Sequence, residues 1–148
     1  MTLLDAYALI AFLAGGPAAG DVRSILREGD AAVTTTNLAE SLDVSRRVYG
    51  LPIERAMEVM EPLLDGTLVT VPLTADVAVR AASIRAKHYH RVRRPISLAD
   101  AVLLAAATDA GGVGPGNGDA HRIATSDPDV LAIAREERLA TASLPQQG

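Results

Sequence analysis

The sequence contains no cysteine. A disulfide framework and a thiolate metal site are therefore both excluded. No run reaches the roughly 18 apolar residues of a membrane span. The apolar N-terminal stretch has no basic residues ahead of it and is interrupted by Asp5, so it does not read as a secretory signal. A soluble, cytoplasmic protein is expected. Positive charge is also scarce: 14 Lys and Arg against 18 Asp and Glu give a formal charge of −4. This argues against a protein that coats nucleic acid by bulk charge, but leaves room for a local basic patch. There is no internal repeat and no interdomain linker.

What is present is ordinary for one globular domain. The 148 residues are 49% apolar and 22% charged, enough to bury a sizeable core. The period of the apolar residues changes at Asp5. Leu3 and Leu4 suit a short buried strand, whereas Ala6, Leu9, Ile10 and Leu13 recur at helical spacing. Asp5 thus stands where a strand turns into a helix. Further along, Pro17 to Glu28 reads as a helix and Ala31 to Thr36 as a second strand. A helix opens at Asn37 and runs to about Tyr49, where Gly50 and Pro52 break it. Ile53 to Leu64 forms a second helix in hairpin with it. Thr67 to Val71 is a third strand and Thr74 to Lys87 an amphipathic helix. Ser97 to Ala110 is a helix apolar nearly all round, hence buried. Gly111 to Gly118 is a loop. Arg122 to Thr125 is a fourth strand, Pro128 to Glu137 a helix, and Leu139 to Ala142 a possible fifth strand. Alternating strands and helices predict an α/β fold with a parallel sheet of four to five strands and right-handed crossovers. The domain spans residues 1–142, followed by a frayed tail from Ser143 to Gly148.

Four acids fall at helix starts. Asp5 follows the first strand and Asp127 the fourth, each a plausible N-cap, the latter with Pro128 at N1. Glu40 in Asn37-Leu38-Ala39-Glu40 and Asp100 in Ser97-Leu98-Ala99-Asp100 hold the N3 place of a capping box. Each alone is accounted for as helix-end chemistry. Together they point at one sheet edge, because helical side chains lean toward the N-terminus. In parallel sheets that edge is where ligands bind. Two unit charges about 4 Å apart repel by roughly 1 to 4 kcal/mol at effective dielectrics of 80 to 20, so such a cluster calls for a cation. All-oxygen ligands suit Mg²⁺ or Mn²⁺.

The ordered set Leu4-Asp5-Ala6-Tyr7-Ala8-Leu9-Ile10-Ala11, Leu38-Ala39-Glu40, Ile96-Ser97-Leu98-Ala99-Asp100-Ala101 and Ile123-Ala124-Thr125-Ser126-Asp127 resembles a PIN domain. Within that family it is similar to the VapC-type toxins of bacterial toxin–antitoxin pairs. The resemblance covers essentially the whole chain. It implies a single PIN-like domain and a Mg²⁺- or Mn²⁺-dependent endoribonuclease that hydrolyses RNA phosphodiester bonds as a toxin. The family's acids map to Asp5, Glu40, Asp100 and Asp127, and its hydroxyl residue to Thr125. Asp5, Asp100 and Asp127 would hold metal, Glu40 a second metal or the attacking water, and Thr125 would orient a carboxylate or a water. A homodimer and a cognate antitoxin covering the acidic groove are implied as partners. Two departures stand out. Tyr7 replaces a common Ser or Asn, and the loop from Gly111 to His121 is long and glycine-rich. Asp119 and Asp129 are additional acids, read as exposed or capping.

No acid lies between Asp76 and Asp100, an interval that holds Arg80, Arg85, Lys87, Arg91, Arg93 and Arg94 with His88 and His90. It reads either as a solvated surface or as a phosphate-contacting patch centred on Arg91, Arg93 and Arg94. Tyr89 could stack a base, and both histidines are expected at the surface. The competing function is a non-catalytic PIN-like module that binds RNA or protein. A phosphoacceptor receiver domain fails because it needs a late lysine and Lys87 is the sole one. The paired-aspartate phosphatase pattern fails because Tyr7 occupies its second place.

Overall fold

The computed structural model describes residues 1–108 and 121–146. In chain order the elements are β1 (Thr2–Leu4), α1 (Ala6–Ala14), α2 (Ala19–Glu28), β2 (Ala31–Thr34), α3 (Thr35–Tyr49) and α4 (Ile53–Leu64). They continue with β3 (Leu68–Val71), α5 (Ala75–His88), α6 (Leu98–Ala106), β4 (Arg122–Thr125), α7 (Pro128–Glu136) and β5 (Ala140–Ser143). All five strands are parallel, in the order β3-β2-β1-β4-β5. No single helix among the described residues is long and apolar enough to cross a membrane.

Side chains alternate across a strand, so a parallel sheet needs apolar cover on both faces. Leu3 and Ile123 face the layer built from α5, α6 and α7. Leu4, Val33 and Ala124 face the layer that contains α1, α2 and α4. The central strands β1 and β2 are buried throughout, while the edge strands β3 and β5 expose residues to solvent. Helix α6 is buried from Ala101 to Ala106, as its all-round apolar pattern predicts. Helix α3 packs on α1 and α4 and reaches α6.

The strand order has a consequence for function. The chain winds from β1 outward to β3, then returns to place β4 on the other side of β1. The switch point lies beyond the carboxyl ends of β1 and β4, where a crevice opens in doubly wound sheets. Asp5 is the residue after β1, and its amide donates to the Ala124 carbonyl of β4 at 3.3 Å.

Several boundaries differ from the sequence expectation. β2 ends at Thr34 because the Thr34 side chain caps α3, accepting from the Asn37 amide at 2.9 Å. Helix α3 therefore starts at Thr35, and Glu40 is not the N3 residue of a capping box. The tail is not frayed from Ser143. Ser143 pairs in β5, Leu144 is buried, the Tyr7 hydroxyl donates to the Pro145 carbonyl at 2.6 Å, and the Gln146 amide reaches the Ser126 carbonyl. An apolar anchor at Leu144 and two long-range hydrogen bonds outweigh the entropy that usually frees a terminus. Tyr7, where the resemblance puts a small polar residue, thus holds down the C-terminal segment.

Candidate active site

Asp5 is the N-cap of α1, with one carboxylate oxygen accepting the Ala8 amide at 2.8 Å. It is buried, at 6% exposure. Burial raises its pKa from 3.8 to about 6, and the charges of Asp100 and Asp127 push the same way. The Thr125 hydroxyl and the Ala8 amide oppose that rise. Thr125 is fully buried and its oxygen also accepts the Asp127 amide at 3.1 Å. One hydroxyl thus ties the end of β4 to the end of β1.

Asp127 is the N-cap of α7 and accepts the amides of Asp129 and Val130 through a single oxygen, Oδ1. Among the described residues its other oxygen accepts no hydrogen bond. Asp100 sits at N3 of α6 in a complete capping box: the Asp100 amide donates to Ser97 at 3.0 Å, and the Ser97 amide donates to the Asp100 carboxylate at 3.2 Å. Half-burial raises the Asp100 pKa, helped by Asp127 and Glu40 and opposed by Ser97. Glu40 rises from the second turn of α3, within hydrogen-bonding reach of the Asn37 side chain. Sequence reasoning misses Asn37. Its one signal is its place three residues before Glu40, which puts both on one helix face.

Asp5, Asp100 and Asp127 thus each serve a helix end, and the charges of Asp100 and Asp127 both bear on Asp5. Among the described residues, no three His, Asp or Glu side chains stand close enough to form a finished ion cage. The acids gather where the carboxyl ends of β1 and β4 meet, Asp5 buried and Asp100 half-buried. The donors are all hard carboxylate oxygens, the ligand type that suits Mg²⁺ or Mn²⁺. Asp129 lies in the first turn of α7, beside the site, with its amide on Asp127. Asp119 and the Gly111–Gly118 loop lie outside the described residues.

Residues 2–136 match the PIN domain family. The chain belongs to the PIN domain family. Among solved structures, it is similar to VapC20 of Mycobacterium tuberculosis, a sarcin–ricin-loop-cleaving toxin. The two share 18% identity at a TM-score of 0.58, over 71% of this chain and 79% of the other. It is also similar to FitAcB from Neisseria gonorrhoeae, at 23% identity and a TM-score of 0.63, over 95% of this chain and 96% of the other. At such identities the likeness is one of fold. No curated protein matches the chain in sequence.

The basic stretch of this PIN domain divides into two sets. Arg94 pairs with Glu136 of α7 at 2.8 Å, Lys87 with Glu137 at 3.0 Å, and Arg85 donates to the Ile96 carbonyl. Arg85 also lies 4.4 Å over the Tyr89 ring, covering one of its faces. His88 is not a surface residue. It is 7% exposed and its ring nitrogens face Glu136 and Glu137. Those carboxylates stand almost fifty positions further along the chain, invisible to local reading. Arg91 and Arg93 are exposed and form no ion pair among the described residues. They lie on the turn closed by the His90–Arg94 bridge, where His90 Nδ1 accepts the amides of Val92 and Arg93.

Proposed function

We propose that this PIN domain is a metal-dependent endoribonuclease, the toxin of a type II toxin–antitoxin pair of the VapC kind. The observation that carries the reading is the convergence at the switch point. Buried Asp5 carries a pKa raised toward neutrality, and its neighbours across the crevice are the further acids Asp100 and Asp127. A fold needing only helix caps has no use for mutual repulsion among them. Asp5, Asp100 and Asp127 would hold Mg²⁺ or Mn²⁺, with Glu40 holding a second ion or the attacking water. A bound ion would neutralise the carboxylates, generate hydroxide from water and stabilise charge on a phosphoryl group. The chain's own groups do the positioning. Thr125 sets Asp5 and Asp127 at a fixed spacing, Ser97 orients Asp100, and Asn37 adjoins Glu40.

The RNA substrate would lie along the crevice. Arg91 and Arg93 have charge to offer its phosphates, whereas Arg94 is held by Glu136. The family resemblance extends the reading to a homodimer and a cognate antitoxin, acting in the cytoplasm. The test is incubation of the purified protein with structured RNAs, including a sarcin–ricin loop, in Mg²⁺, Mn²⁺ or EDTA. Discrete cleavage with metal and none with EDTA is expected. Binding without cleavage in every metal would replace the enzyme by a non-catalytic RNA- or protein-binding module. The absence of a finished ion cage among the described residues is the observation that keeps this second reading in view.

The two sets of arginines give a separate expectation. Replacing Arg91 and Arg93 together by Ala lowers the log–log salt slope of RNA binding by about 0.7 for each phosphate these side chains neutralise. Arg94→Ala leaves that slope nearly unchanged, since its charge is already spent on Glu136. Fluorescence anisotropy across a salt series checks both, and equal slopes in wild type and the double variant would make the turn a mere solvated surface.

A further inference from the structure

Helix α3 and its N-cap Thr34 turn a polar stripe inward where apolar residues are the rule. Thr34, Asn37 and Ser41 are 1%, 1% and 0% exposed. Burying such groups is unfavourable unless they are hydrogen-bonded, and these are. The Ser41 hydroxyl donates to the Asn37 carbonyl at 2.6 Å. The Thr34 hydroxyl oxygen accepts the Asn37 backbone amide at 2.9 Å, while its proton goes to Asn37 Oδ1 at 3.1 Å. That contact takes up the acceptor end of the Asn37 side chain. Its donor end, Nδ2, then faces Glu40 Oε2 at 3.4 Å. Turning the amide over would set Oδ1 against a carboxylate oxygen, so Glu40 itself selects the orientation. The contact is long, and its geometry is enforced from the Thr34 side.

We infer that Asn37 is a positioning residue that holds the Glu40 carboxylate toward the acidic crevice. The inference rests on the nuclease reading above. Thr34 is the last residue of β2 and Glu40 belongs to α3, so the relay Thr34–Asn37–Glu40 references the glutamate to the rigid sheet rather than to its own flexible stem. Groups that orient ligating carboxylates typically account for about 10- to 100-fold in metal affinity. With a contact of this length the lower figure, about tenfold, is expected.

The experiment compares wild type, Asn37→Ala, Glu40→Gln, the double variant and Asn37→Asp. Mn²⁺ binding by the full chain is read by electron paramagnetic resonance, and RNA cleavage is read separately. If Asn37 acts through Glu40, Asn37→Ala weakens Mn²⁺ binding about tenfold and lowers kcat with little change in KM. The double variant is then no worse than Glu40→Gln, since the two residues act as one unit. Asn37→Asp keeps the shape and the acceptor for Thr34 but loses the donor and sets a buried carboxylate against Glu40, so it melts below wild type and shares the metal defect. Wild-type behaviour of either Asn37 variant overturns the inference, as do losses that multiply in the double variant. A silent Glu40→Gln, in a wild type that binds Mn²⁺ and cleaves, overturns it while leaving the nuclease reading intact. A wild type that neither binds Mn²⁺ nor cleaves removes the nuclease reading and this inference with it.

Discussion

Asp5→Asn stabilises the metal-free protein at pH 7 and abolishes metal-dependent RNA cleavage. The first half follows from burial. The folded protein holds the Asp5 proton with a pKa of about 6, against 3.8 ordinarily. Between those values the folded state binds more protons than the unfolded chain, so the Asp5 contribution to stability falls as pH rises from about 4 to about 6. Above that window the loss is complete, on the order of 3 kcal/mol at about 1.36 kcal/mol per pKa unit. Asparagine is as good an N-cap as aspartate and can still accept the Ala8 amide, so the variant keeps the cap without the charge. Urea unfolding in EDTA from about pH 4.5 to 7.5 checks this, a range set by the linkage window. The variant's lead over wild type should grow as pH rises through the window and level off above it. A variant less stable than wild type at neutral pH would mean that the Asp5 charge is compensated and its role is the cap. The second half follows from the site: the best-buried acid of the crevice cannot be replaced by a neutral amide and still hold a cation. Undiminished cleavage by pure variant would remove Asp5 from the chemistry.

The second large effect is the stabilisation that a divalent ion brings. Metal that binds only the folded state stabilises by RT ln(1 + [L]/Kd), about 2.7 kcal/mol at a hundredfold excess over Kd. Wild type should therefore melt progressively higher across a Mg²⁺ or Mn²⁺ titration. Asp100→Asn should gain clearly less. In EDTA the same variant should melt no lower than wild type, because Asp100 itself has a raised pKa from half-burial and from Asp127 and Glu40. Its amide oxygen can still take the Ser97 amide that closes the capping box. Thermal unfolding of both proteins separates the cases. Equal metal-induced shifts would exclude Asp100 as a ligand. No shift in either at millimolar metal would favour the non-catalytic module.

The two variants probe opposite sides of one arrangement. A helix N-terminus welcomes a carboxylate through its free amides and its dipole. A site that gathers several carboxylates and partly buries them works against their charges. Asp5 and Asp100 are subject to both effects, and for each the raised pKa shows that burial and like charge prevail. A cation reverses that balance. The acids therefore make the fold less stable than its caps alone would, and under the proposed nuclease reading a bound cation would relieve that cost.

Local chemistry carried much of this into the sequence. The switch of period at Asp5, the β-branched run ending near Thr34, the all-apolar helix after Ser97 and the Asp-Pro pair at Asp127 each depend on residues a few positions apart. Such signals survive in one dimension. They were enough to place β1, α6 and α7 and to set three acids at the starts of helices. The boundary at Thr34 was less legible. Thr34, Thr35 and Thr36 all favour a strand, and any of them, or Asn37, can cap a helix. Only the packing of α3 chose Thr34, and that choice moved Glu40 one turn deeper into the helix.

By itself, then, the sequence determined the α/β class, the helix-start positions of Asp5, Asp100 and Asp127, and the exclusion of thiolate chemistry. It could not determine that β4 returns beside β1, which brings Asp127 to Asp5 from far along the chain. It could not assign Glu136 and Glu137 to Arg94 and His88, nor the Tyr7 hydroxyl to Pro145. Nor could it show that burial raises the pKa of Asp5. Side-chain periodicity records which face of an element meets the core, but not which other element it meets there. Contacts of long sequence separation, and the loss of water they impose on a carboxylate, exist only after the sheet has assembled.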